Sequence, residues 1–207
     1  FPRIVFSTTI HGYEGSGRGF EMRFIKQLSQ LKPEFKKIQM SQPIRWYKQD
    51  TLEQFWFNTL FHNVQQDNKN IESDSQPIDC RHISKSQLLN DKKLLADVFR
   101  LLINAHYQTS QDDLQRLLDA PEIECFIMTR GDTLLGVAQT VEEGGSCFDE
   151  LADAIADCTR RVKGHLVAQN IASSYNSVPF LLSKQWRISR IAIEPEHQRT
   201  GLGKKLI

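Results

Sequence analysis

No run of apolar residues approaches the roughly 20 that a bilayer-spanning helix needs. The opening Phe1-Pro2-Arg3 brings neither the basic flank nor the small-residue cleavage site of a secretory signal. The chain therefore reads as cytoplasmic, with no membrane partner. Cysteine is sparse: Cys80, Cys125, Cys147 and Cys158 form no C-x-x-C pair and have no histidine cluster at ligand spacing, so they read as buried or incidental thiols, and no metal is expected. An excess of charge is also missing. The 26 Lys and Arg stand against 25 Asp and Glu, a net +1, so the field of the whole chain neither announces nor excludes a nucleic-acid partner. What remains is ordinary for a folded protein: 207 residues, 40% hydrophobic and 25% charged, exclude disorder and collagen-like repeats and suffice for one good core or two small ones. The chain opens without Met and closes on Gly203-Lys204-Lys205-Leu206-Ile207, where a helix is expected to be opening, so it reads as an internal piece of a longer protein.

Along the chain, Arg3 to Ile10 is β-branched and apolar and predicts a buried strand, followed by the glycines 12, 15, 17 and 19. Asp50-Thr51-Leu52-Glu53 reads as a capping box that opens a helix with Leu52, Phe55, Trp56 and Leu60 on its apolar face. The aromatic group Trp46, Tyr47, Phe55, Trp56 and Phe57 reads as core or as an interdomain contact. Residues 63–79 are rich in Gln, Asn, Asp and Ser and read as a polar linker or insertion. From Ser84 to Ala105, Leu88, Leu95, Val98, Leu102 and Ile103 recur at near-helical spacing, and Ser110-Gln111-Asp112-Asp113 starts a second capped helix. Glu124–Thr129 and Leu134–Thr140 flank a turn and predict a hairpin. A helix is expected from about Phe148 to Val162, an apolar segment from Leu166 to Ala172, and a last strand over Arg187–Ile193. The order of elements is α/β, of the mixed α+β kind.

The most informative stretch begins at Ile191 and ends at Lys204. A strand runs into Gln198-Arg199-Thr200-Gly201-Leu202-Gly203 and then into helix-like sequence, which sets a row of free backbone N–H groups at a helix start where glycines let a phosphate approach. The implied ligand is a pyrophosphate. Gln198 stands where a P-loop needs its first glycine and Lys205 where it needs Ser or Thr, so this is neither a P-loop nor G-x-G-x-x-G. Near the start, Ser7-Thr8-Thr9-Ile10-His11-Gly12-Tyr13-Glu14-Gly15-Ser16-Gly17-Arg18-Gly19-Phe20 places Arg18 in a second glycine loop. That loop has no Walker-A lysine; it reads as an ordinary surface turn or as a mount for a guanidinium that meets a phosphate held elsewhere.

The final loop resembles that of the GNAT acetyltransferases, through Gln198, Gly201 and Gly203. Together with T-I-H-G-Y-E-G-S-G-R-G-F, A-H-Y-Q-T-S-Q-D-D-L-Q-R-L-L-D-A-P and L-V-A-Q-N-I-A, it resembles the bacterial tRNA(Met) cytidine acetyltransferase family over nearly the whole chain. The resemblance implies residues 1–62 as the carboxy-terminal part of a RecA-like helicase or ATPase module, 63–79 as linker, and 80–207 as the first part of a GNAT domain. It implies acetyl-CoA as cofactor, its pantetheine arm along the backbone of Ile191, Ala192 and Ile193 and its pyrophosphate over Gln198, Arg199, Thr200, Gly201, Leu202, Gly203 and Lys204. It also implies ATP with magnesium, held mostly by parts outside this chain and contacted here by Arg18, and an elongator methionine tRNA whose wobble cytidine is acetylated on N4.

For the chemistry, the loop between the first two GNAT helices carries His106 and Tyr107, candidates for taking the proton of the amine and for stacking on the base or donating to the departing thiolate; capping a helix end is their alternative. His197 and Glu194 read as solvated turn residues. Arg160, Arg161 and Lys163 read as a solvated helix end or as a contact with tRNA phosphates. Two rival functions stay open: a GNAT enzyme acting on a protein or small-molecule amine, which leaves the first glycine loop unexplained, and a non-catalytic RNA-binding module, against which the intact glycine turn argues.

Overall fold

The computed structural model describes residues 4–9, 20–61, 76–105 and 109–207. Residues 4–9 form no strand, and Val5 is 90% exposed, against the expected buried strand. β-branched composition supplies propensity, but a strand also needs a neighbour to take its N–H and C=O groups, and no described strand pairs with this one. A π-helical turn at Phe20–Ile25 runs into α1 (Lys26–Leu31), and the Phe6, Phe20 and Phe24 rings cluster, with centroids 4.9 Å apart for Phe6–Phe24 and 4.7 Å for Phe20–Phe24. Helix α2 (Thr51–Thr59) begins at Asp50, whose Oδ1 accepts from Leu52 N at 2.9 Å and Glu53 N at 3.0 Å. Leu52, Phe55, Trp56, Trp46 and Tyr47 are nevertheless exposed, so these aromatics are not core. Phe61 does reach one: its ring lies 6.3 Å from that of Phe99.

One antiparallel sheet organises the rest: β1 (Ile78–Ile83), β2 (Ile123–Arg130), β3 (Thr133–Glu143) and β4 (Gln185–Ile193), in that order across the sheet. Strand β1 begins inside the stretch read as linker. It is an edge strand with only Ile83 buried, so it lacks the alternation that announces a strand. Between β1 and β2 come α3 (Lys85–Asn90), α4 (Lys92–Ala105) and α5 (Gln111–Asp119). Capping boxes open α3 (Ser84 with Gln87) and α5 (Ser110 with Asp113), and Asp91 separates α3 from α4 by accepting from Leu94 N at 2.9 Å. Leu88, Leu95, Val98 and Leu102 pack with Ile123, Cys125, Ile127, Val137 and Ala192 to form the main core. Burial pushes the Cys125 thiol up to about 12, so it stays protonated and inert. The expected hairpin is present, with Arg130 opposite Thr133.

The β3–β4 connection departs most from expectation. A 3-10 turn (Ser146–Phe148) precedes α6, which covers only Ala152–Ala156 instead of reaching Val162. Three donors, Thr159 N, Thr159 Oγ1 and Arg160 N, converge on the Ala154 carbonyl and end the helix there. Helices α7 (Leu166–Tyr175) and α8 (Val178–Leu182) follow, and Phe148, Ala152, Ile155, Ala168, Ala172 and Leu181 make a second core.

Glu143 ties this excursion to the sheet. Its side chain is 1% exposed; Oε1 accepts from Arg187 Nε at 2.5 Å, and Oε2 accepts from Val167 N at 2.9 Å and Ala168 N at 3.1 Å, the first turn of α7. Burial alone would raise its pKa, but the Arg187 hydrogen bond and the two amides outweigh burial and hold the carboxyl below its ordinary value. A depressed carboxylate stabilises the fold above the ordinary carboxylate pKa, and that contribution fades as pH falls through the folded-state value. Glu143→Gln is therefore expected to cost about 3 kcal/mol at neutral pH, the cost of breaking a buried pair. In urea titrations the gap from wild type should be full at pH 7 and should narrow as pH falls below the ordinary carboxylate range; a gap that is constant with pH would show that the charge is not what Glu143 contributes.

Candidate functional site

Strand β4 lies at the sheet's edge. Opposite β3 its register slips: Gln139 faces Arg190 but Thr140 faces Ile188, so Ser189 bulges, with its hydroxyl donating to Gln139 O at 2.9 Å. Beyond the bulge, Glu194 N donates to Leu135 O at 2.9 Å. Strand alternation then turns the main chain of Ala192 toward β3 and that of Ile191 and Ile193 toward the open edge. The Ile193 carbonyl accordingly accepts from Gln198 Nε2 at 3.1 Å, outside the sheet.

After β4 a 3-10 turn (Pro195–His197) leads through Arg199, at φ 63°, to Gly201, at φ 87°, and into α9 (Leu202–Leu206). Thr200 Oγ1 closes the turn on His197 O at 2.6 Å, and Lys205 N bonds to Gly201 O at 3.2 Å. The amides of Leu202, Gly203 and Lys204 precede the first intrahelical donor, Lys205 N, and point out of the helix's N-terminal end. A Cβ built on Gly201 meets no atom within 4 Å, so the space beside these amides is open. On the inner side the helix sits close: a Cβ on Gly136 of β3 would come 2.5 Å from Ile193 Cδ1 and 3.3 Å from Leu206 Cδ2. Gly136 thus lets β4 and α9 settle against β3, a role that only the packing reveals.

Two arginines, Arg100 buried and Arg190 half-buried, hold this end of β4. Arg100 of α4, 8% exposed, donates to Glu194, which is therefore no solvated turn residue. Arg190 donates to Thr109 Oγ1 at 2.7 Å and to Asp113 Oδ1 at 2.8 Å, so the residue after the bulge grips the start of α5. Neither arginine was marked by the sequence, because each pairing joins residues far apart in the chain. His106, Tyr107 and Arg18 lie outside the described residues. Among the described residues no three His, Cys, Asp or Glu side chains gather as a metal site, and no helix is long and apolar enough to cross a membrane.

Residues 97–207 match the family described as GNAT acetyltransferase 2. The chain belongs to that family. Residues 1–63 match the helicase domain of the RNA cytidine acetyltransferase NAT10/TcmA. This GNAT chain is 38% identical, over 100% of its length and 29% of the relative's, to the tRNA(Met) cytidine acetyltransferase TmcA of Vibrio cholerae. It is 34% identical to the TmcA of Nitrosococcus halophilus, over 28% of that protein, and 32% identical to that of Haemophilus influenzae, over 37%. It thus spans about a third of these relatives' length. A GNAT family acetyltransferase structure from Staphylococcus aureus overlaps 62% of the GNAT chain at 15% identity, with a TM-score of 0.37. Membership implies acetyl-CoA as cofactor, and the free amides and open space at Gly201 suit its pyrophosphate.

Proposed function

We propose that the natural protein acetylates N4 of the wobble cytidine in elongator methionine tRNA, with ATP hydrolysis assisting, and that it works in the cytoplasm. The observation that carries the acetyl-transfer part is the pairing of an open β4 edge with the glycine turn. In this reading the main chain of Ile191 and Ile193 receives the pantetheine arm as an added strand, with Ala192 holding the strand to β3 between them. The turn from Gln198 through Arg199, Thr200, Gly201, Leu202, Gly203 and Lys204 takes the pyrophosphate, with the Arg199 and Lys204 charges beside it. Acetyl-CoA supplies an activated thioester. The acceptor amine is conjugated with its ring and therefore a weak nucleophile, so the protein must orient it and remove its proton. His106 takes that proton, Tyr107 stacks on the base or donates to the departing thiolate, and Arg190 fixes the start of α5 just beyond them through Thr109. No covalent enzyme intermediate is needed.

The domain reading keeps 1–62 as the tail of an ATPase module, in which Arg18 contacts the phosphates of ATP while the magnesium is held outside this chain, 63–79 as linker and 80–207 as the GNAT part, with β1 pairing into the sheet from Ile78. The helicase-domain match over 1–63 and the TmcA relatives support this reading. The test is an acceptor panel. With labelled acetyl-CoA, the natural protein is expected to label an elongator methionine tRNA transcript and to leave lysine peptides and polyamines unlabelled; label on peptide or polyamine alone would support the other GNAT class.

A further inference from the structure

Adjacent antiparallel strands need a connection of only two to five residues, yet roughly forty, Gly144 to Lys184, separate β3 from β4 and enclose a core of their own. The excursion lies at the start of β4, whereas the glycine turn follows its end, about 30 Å away along the strand. On the reading above, an acyl chain laid along Ile193 and Ile191 points its reactive end toward the excursion. The acceptor then arrives from that side.

The excursion carries Arg160, Arg161 and Lys163, all exposed and, among the described residues, in no ion pair. The acidic residues Asp149, Glu150, Asp153 and Asp157 precede them on and around α6, so the charge is segregated along the chain. A solvated cationic loop has no need of a scaffold, but this one has a scaffold. Gln169 of α7, 8% exposed, grips the backbone between the cations: its Oε1 accepts from Val162 N at 3.0 Å, and its Nε2 donates to Val162 O at 3.1 Å and Gly164 O at 2.6 Å. Thr159 N and Arg160 N are held on Ala154 O, and the Val162 side chain packs on the second core. The side chains of Arg160, Arg161 and Lys163 thus leave a backbone that is fixed before any ligand arrives, which lowers the ordering cost of binding.

We propose that this loop is a docking site for the phosphate backbone of the RNA acceptor. The inference rests on the RNA acetyltransferase reading, and the experiment separates the two. In the natural protein, Arg160→Gln, Arg161→Gln and Lys163→Gln are combined, and binding of an elongator methionine tRNA transcript is measured against salt. Three lost phosphate contacts should weaken binding about tenfold or more near 0.1 M salt and flatten the slope of log K against log salt by about 2 to 3. Acetyl-CoA affinity and melting temperature should be unchanged, and Arg160→Lys with Arg161→Lys should keep wild-type binding. A triple variant matching wild type in affinity and slope would overturn the proposal and leave the loop to a protein partner or to solvent; so would weaker binding at an unchanged slope. If both bind and acetylate the tRNA equally, only the docking site fails; if wild type neither binds nor acetylates it, the function reading fails with it.

Discussion

Gly201→Asp and Gly203→Asp in the natural protein are each expected to weaken acetyl-CoA binding by about a hundredfold or more. A carboxylate some 4 Å from a pyrophosphate charge costs about 4 kcal/mol per charge pair at the effective dielectric of a protein surface, which is roughly a thousandfold in affinity before relaxation and screening. The position also matters. The space beside Gly201 is open, so an added side chain would project where the phosphate is expected and not into protein. Its φ of 87° makes any side chain somewhat strained, which Gly201→Asn, tolerant of that region and uncharged, isolates. Calorimetric titration should rank the affinities glycine above Asn above Asp. Equal affinity in all three would remove the phosphate from this turn.

Arg18→Ala should reduce tRNA-stimulated ATP hydrolysis by about a thousandfold, the usual scale for an arginine that stabilises charge on a transferring phosphoryl group. Acetyl-CoA affinity should stay at wild-type level, because Arg18 belongs to the stretch that matches a helicase domain and not to the GNAT family match. An alanine variant with full ATPase activity would return Arg18 to an ordinary surface turn.

What could be read beforehand was what is local in the chain. Asp50 and Ser110 signal helix starts because a capping side chain acts within three residues, and the turn at Gly131-Asp132 signals its hairpin for the same reason. The turn at Gly201 was legible because a phosphate cradle needs glycine within a few positions of a strand end. Everything that depends on a distant neighbour was hidden. Residues 4–9 have strand composition but no described strand to pair with, while β1 pairs with β2 without having strand patterning. The Glu143–Arg187 pair and the Arg100–Glu194 pair each join groups whose proximity only the fold creates. The same holds for Gly136, which sits in an unremarkable strand until Ile193 and Leu206 are seen above it.

The most direct test of acetyl transfer to RNA is nucleoside mass spectrometry of an unmodified elongator methionine tRNA transcript after incubation with the natural protein, ATP and acetyl-CoA. N4-acetylcytidine at the wobble position, absent when acetyl-CoA is omitted and lost with Gly201→Asp, is the predicted result. A transcript that remains unacetylated while the same protein, with acetyl-CoA bound, acetylates an amine elsewhere would contradict it.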